Sequence, residues 1–196
     1  MPFAPNARQN VIAREEKEAR LKAFITRHSD CHRAAGVAPG VTVYRLLALS
    51  VESPVALAVR DLMPELAAAG IRVEALFVRE SSKAKIEGAE CRFVSDLRLL
   101  DAHEQLVLDR VTAWIGDCMR RDPLKRDAYE LYSESPVTAG HAARSFAQIW
   151  RAAGPSGSLA AGRKWVGLRQ ASLFEPSLIA GAEAMVATPH LLPVRH

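Results

Sequence analysis

The chain has 196 residues, 49% of them hydrophobic and 24% charged, with a formal net charge of +4. That balance is ordinary for a folded domain, long enough to bury a core without staples, and its mild basicity permits an anionic ligand without demonstrating one. No apolar run approaches the roughly 20 residues of a membrane span, the opening MPFAPNARQNVIAREEKEARLK has no apolar signal-peptide core, and three cysteines (Cys31, Cys91, Cys118) are too few for a disulfide framework, so a reducing cytoplasm is expected.

Residues 1–40 read as an N-terminal helical arm. From Gln9 to about Ala35 the chain is rich in Arg, Glu, Lys and Ala, and Val11, Ala19, Leu21, Phe24 and Ile25 form a partial apolar stripe. Glu18 and Lys22 add an i,i+4 pair. Gly36-Val37-Ala38-Pro39-Gly40 ends the arm. The main domain is expected over 41–154. Val43 to Ser50 is nearly all apolar, as in a buried strand. Ser53-Pro54 predicts a helix start, with a hydroxyl cap and proline at the first helical position. That helix runs to about Ala69, and Pro64 is expected to kink or split it. Gly70 stops it, and Ile71–Val78 is a second strand. Strand, helix, strand at this spacing predicts a parallel βαβ unit.

Arg79–Glu90 reads as a loop or short helix, Cys91–Val94 as a short strand and Leu97–Leu100 as another. Gln105–Asp109, Thr112–Gly116 and Tyr129–Tyr132 complete the strands. Thr138–Ala153 is helical, with Ala142, Phe146, Ile149 and Trp150 on one face. Gly154-Pro155-Ser156-Gly157 ends it, and 155–196 is expected to be a C-terminal arm. No internal repeat is evident.

The stretch Leu99–Tyr132, LLDAHEQLVLDRVTAWIGDCMRRDPLKRDAYELY, carries the most information. His103 opens a strand-like run and Asp109 closes it. The next strand ends in Trp114-Ile115-Gly116, and an Arg-rich loop follows. This layout resembles the catalytic core of the phospholipase D superfamily. There, His-x-Lys and an Asp a few residues on are followed, after the next strand, by Gly-Ser-x-Asn. The resemblance covers roughly 42–153 and includes the opening βαβ unit and the closing helix. It implies an α/β fold: a mixed sheet flanked by helices, one half of such an enzyme. It also implies a homodimer, because a chain with one motif completes its site across a two-fold axis. In that family one histidine attacks phosphorus and another protonates the leaving oxygen, and cations and amide donors steady the phosphoryl charge.

Carried over residue by residue, the resemblance implies a catalytic role for His103 and Asp109. Ligand contacts would fall to Gln105, Gly116, Asp117, Arg120 and Arg121. The departures bear on chemistry. Gln105 stands at the lysine position, and losing a cation from a phosphoryl clamp costs on the order of a few kcal/mol. Asp109 comes one residue early, which in a strand turns a side chain to the other face. Asp117 replaces the serine and Met119 the asparagine. A carboxylate repels a phosphodiester, and a thioether donates no hydrogen bond. The leading expectation is a degenerate family member acting as a binding or structural module. One alternative is a phosphodiesterase or nuclease acting through His103, with Arg120, Arg121 or Lys125 as replacement cations. Another is a Rossmann-like domain binding a small ligand, which a wholly parallel sheet would favour.

Other signals are weaker. His28, Cys31 and His32 stand at i, i+3 and i+4, a spacing at which a helix face grips a metal. A helix end carrying histidines that suit its dipole is the simpler account, and neither a metal nor another cofactor is expected. Arg120, Arg121, Lys125 and Arg126 offer phosphate contacts to a phosphate-containing ligand or a nucleic acid. The interspersed Asp122 and Asp127 point instead to internal ion pairs. Arg163-Lys164-Trp165 supports no more than a surface contact.

Overall fold

The computed structural model describes residues 14–78, 85–120 and 130–153. All of these fall in the first of two units, Met1–Arg163; the second, Lys164–His196, lies outside the described residues. So do Val11, Arg121, Lys125, Arg126, the Arg163-Lys164-Trp165 cluster and the expected C-terminal arm. In order the elements are α1 (Arg14–Ala34), β1 (Val43–Ala48), α2 (Pro54–Ala68), β2 (Arg72–Phe77), β3 (Glu90–Phe93), a 3-10 turn (Leu97–Asp101), β4 (His103–Val107), β5 (Thr112–Cys118), β6 (Leu131–Glu134) and α3 (Pro136–Ala153).

The six strands make one sheet in the order β3-β2-β1-β4-β5-β6. β1 and β2 run parallel, from Val43 beside Arg72 to Ala48 beside Phe77, and β2 and β3 are also parallel. The pairings β1–β4, β4–β5 and β5–β6 are antiparallel. The fold is therefore α/β with a mixed sheet. The wholly parallel sheet of the Rossmann-like alternative is excluded, because β4, β5 and β6 are joined as antiparallel neighbours.

Helices cover both faces. One face joins Tyr44, Leu46, Val73, Ala75, Leu106 and Trp114 to Leu21, Phe24 and Ile25 of α1 and to Val55, Val59, Met63 and Leu66 of α2. On the other face, Val107, Ala113 and Ile115 pack against Ala139 and Ala142 of α3. Burying side chains on both faces is what makes β1 and the middle of β5 read as nearly continuous apolar runs.

Three local expectations change. Leu97–Asp101 is a 3-10 turn, not a strand, because the Asp96 carboxylate accepts from the Arg98 amide and starts it. Pro64 does not split α2: the buried residues Val59, Met63 and Leu66 hold the helix while Pro64 faces outward. The Ser53 hydroxyl does not cap α2; it donates instead to Glu104. Gly70 does end α2, at φ +70°, and a Cβ there would sit 2.7 Å from Pro39 Cα.

In α1 the inward positions are Lys17, Leu21, Phe24, Ile25, His28, Ser29 and His32, spaced as one helical face. Only the middle of that stripe is apolar. Ala19, expected within it, is exposed.

Candidate functional site

The sequence-predicted residues fall at the two ends of β4. At one end, β5 carries an extra residue opposite β4. His103 pairs with Cys118 but Gln105 pairs with Ile115, so Gly116 and Asp117 together face Glu104. This bulge re-aims side chains. His103 Nδ1 lies 2.7 Å from the Gly116 carbonyl oxygen. A carbonyl only accepts, so Nδ1 carries the proton and Nε2 is the basic nitrogen of the neutral ring.

Gln105 follows the pleat of β4 toward α3. It is buried, and its side-chain amide donates to the Ala142 carbonyl at 3.2 Å. Glu104, between them, turns to the α2 side and is fully buried. Its Oε1 accepts from the Leu49 amide at 3.1 Å and from the Ser53 hydroxyl at 2.6 Å. A charged residue within an apolar strand is the sequence signal for such a buried carboxylate.

Asp117 reaches across to α1, where Lys17 Nζ meets its Oδ2 at 2.7 Å. Both side chains are at most 6% exposed, and the ammonium also sits 5.4 Å from the Trp114 ring. Reading the helix for apolar residues passed over Lys17, although it lies on the buried face. Gly116 has a packing role: the Trp114 indole occupies the space a Cβ would need, with Cζ2 at 2.6 Å and Cη2 nearer still. Glu130, opposite this end of β5, has its carboxyl raised above the usual range by burial, against the pull of Lys17 and Arg20.

Arg120 forms a two-pronged pair with Asp101, Nε–Oδ1 at 2.5 Å and Nη2–Oδ2 at 2.9 Å. Arg121 lies outside the described residues.

Asp109 sits at the opposite end of β4 from His103, roughly 20 Å along a strand path. Its Oδ1 accepts from the amides of Val111 and Thr112 at 2.8 and 2.6 Å, closing the turn between β4 and β5. Its Oδ2 is 3.0 Å from His28 Nε2, and His28 Nδ1 is 2.7 Å from the Tyr44 hydroxyl. Burial opposes ionisation of Asp109, but His28 and the two amides outweigh it and hold the carboxyl below its usual range. Burial first, and the Asp109 charge second, push Tyr44 well above the usual phenol range. The structure therefore brings His103 together with Gly116 and separates both from Asp109.

The His28, Cys31, His32 spacing does not form a cluster. His28 and His32 face inward, His32 to the Thr42 hydroxyl at 2.8 Å, while Cys31 is exposed. Among the described residues no group of three metal-ligating side chains occurs. No helix there is long and apolar enough to cross a membrane. An open groove of about 430 Å³ lies outside α2, lined by Arg60, Met63, Pro64, Ala67, Lys85, Glu87 and Gly88. It contains none of the predicted site residues.

No protein-family model and no curated protein matches the chain. Solved structures with a similar backbone include TrmBL2, an archaeal chromatin protein with a novel mode of DNA binding. It is 12% identical, with a TM-score of 0.42 over 67% of this chain and 50% of that one. Another is NucT from Helicobacter pylori, 8% identical, with a TM-score of 0.40 over 68% of this chain and 91% of that one. The chain spans half the length of the chromatin protein. These are similarities of backbone course alone.

Proposed function

We propose that this chain is a phospholipase D-like domain without phosphodiester chemistry, acting as a binding or structural module. The observation that carries this reading is Gln105. At the position where the family has its lysine, the residue is neutral and buried, and its amide N–H is committed to the Ala142 carbonyl of α3. It ties strand to helix. Among the described residues, the nearby cations Lys17 and Arg120 are engaged as well, by Asp117 and by Asp101. A phosphoryl clamp needs positive charge directed at the transferring oxygens, and Lys17 and Arg120 are instead directed at carboxylates of the chain itself.

The test is turnover of bis-p-nitrophenyl phosphate and of single- and double-stranded DNA by the wild-type chain and by His103→Ala. The expected result is the same background rate for both. Turnover that His103→Ala abolishes overturns the reading.

One observation favours the rival phosphodiesterase reading. The Gly116 carbonyl fixes the His103 ring with its proton on Nδ1, the tautomer a nucleophilic Nε2 requires. On that reading Arg120 exchanges Asp101 for a phosphoryl oxygen, and Arg120→Ala lowers any His103-dependent rate by at least tenfold. An unchanged rate removes Arg120 from the mechanism.

A further inference from the structure

We infer that α1 is an exchangeable arm, and that its seat on the sheet also accepts α1 from a second copy of this chain. The inference rests on how charge is sorted, and is independent of the role of His103. Five ion pairs among the described residues join α1 to the rest of the domain. They are Lys17–Asp117 at 2.7 Å, Arg20–Glu130 at 3.9 Å, Lys22–Asp61 at 2.7 Å, Arg27–Glu134 at 3.5 Å and His28–Asp109 at 3.0 Å. In all five the base is on α1 and the carboxylate is on the body.

The acids of α1 pair within the helix itself, Glu16 with Arg20, Glu18 with Lys22 and Asp30 with Arg33. The arm therefore presents a basic face to an acidic seat. That seat spans α2, β5, β6 and the β4–β5 turn. Apolar attachment is small for so long a helix, with Leu21, Phe24 and Ile25 as its buried apolar side chains. Most of the ion pairs are partly exposed, where each contributes little and is weakened by salt.

The connection to β1 supplies the hinge. Gly40 is tied down, its amide to the Gly70 carbonyl at 2.6 Å and its carbonyl to Arg72 Nε at 3.2 Å. The swing therefore falls at the other end, on Gly36. Gly36 holds φ +63°, and nothing lies within 4 Å of where its Cβ would be. Its amide donates to the Arg33 carbonyl at 3.1 Å, inside the arm, so a swing about Gly36 breaks no bond from that residue to the body. The set of bases at positions 17, 20, 22, 27 and 28 that fits the seat belongs to α1. Exchange between two copies re-forms the same contacts, which makes it a low-cost route to a dimer.

Charge reversal provides the test. One variant carries Lys22→Glu and Arg27→Glu on the arm; the other carries Asp61→Lys and Glu134→Arg on the body. In each alone, arm and seat repel at those two positions. In a mixture, each arm finds an opposite charge on the other chain's seat. Light scattering after size exclusion is expected to show twice the monomer mass in the mixture, and a loss of that species in high salt. A single chain with all four reversals restores its pairs internally and is expected to melt like wild type. Gly36→Ala, which disfavours the closing turn and touches no seat residue, is expected to raise the dimer share of the otherwise wild-type chain. A mixture that stays monomeric while the four-fold variant folds normally, with no dimer from Gly36→Ala, overturns the inference.

Discussion

His28 Nε2 and Asp109 Oδ2 stand 3.0 Å apart, linking the middle of α1 to the turn between β4 and β5. The same carboxylate closes that turn through the amides of Val111 and Thr112. A residue that lies in the His103 motif by sequence is thus a fastening for the N-terminal helix.

Asp109→Ala is expected to lose about 1–3 kcal/mol in urea denaturation at pH 7, as unpaired amides and a lost charged hydrogen bond cost. The carboxyl is held below its usual range, with burial opposing and His28 and the amides prevailing. A depressed folded pKa gives stability that is complete above the unfolded value of about 3.9 and is lost as pH falls through the folded value. The gap between wild type and Asp109→Ala should therefore be full at neutral pH and shrink in acid. Asp109→Asn, which keeps an oxygen for the turn, should recover part of the neutral-pH loss. A gap that stays the same size in strong acid would show that the ionised form is not the source.

The Lys17–Asp117 pair makes a sharper demand, because neither side chain reaches bulk water. Lys17→Met takes the ammonium away from a buried carboxylate and is expected to cost about 3–5 kcal/mol, whereas removing both charges together is commonly near neutral. The double variant Lys17→Met, Asp117→Leu should therefore recover most of the single loss. Denaturation of the four chains of this cycle gives the coupling directly, and additive losses would mean the two groups stand independently.

The order of strands and helices was legible because each element carries its own periodicity. The parallel β1–β2 pair and the buried face of α3 follow from apolar spacing and turn residues. The site was less legible because its geometry depends on a bulge. One extra residue in β5 sends Asp117 to α1, which the alternation of β5 alone cannot reveal. The polar ends of the α1 stripe hid the docking role of Lys17, His28 and His32, since a search for apolar residues sees only Leu21, Phe24 and Ile25. Glycine was the least legible of all. Gly116 matched a phosphate-binding pattern in sequence, and in space it makes room for a tryptophan.

Gly116→Ala tests that packing. The added methyl would overlap the Trp114 ring, whose Cζ2 lies 2.6 Å from the ideal Cβ position. Overpacking of this kind is expected to cost about 1–3 kcal/mol. Combined with Trp114→Leu, which vacates the space, the Gly116→Ala loss should shrink, although Trp114→Leu is itself destabilising. Thermal unfolding of both backgrounds decides it. A Gly116→Ala penalty that is undiminished in the Trp114→Leu background would place the constraint on the backbone instead.

Gln105→Lys separates a missing cation from a structural tie. If the domain lacked only a positive charge at that position, lysine would bring His103-dependent turnover of bis-p-nitrophenyl phosphate at unchanged stability. The surroundings argue for the opposite. Gln105 is 6% exposed and donates to the Ala142 carbonyl on α3, so an ammonium there is desolvated with one carbonyl for company. A cost on the order of 2–4 kcal/mol is expected, with no turnover above background. Gln105→Met, which keeps the volume and gives up one hydrogen bond, should cost about 1 kcal/mol. A lysine variant as stable as the methionine one would mean the ammonium finds water or an anion at that end of β4, and the phosphodiesterase reading would then regain its cation.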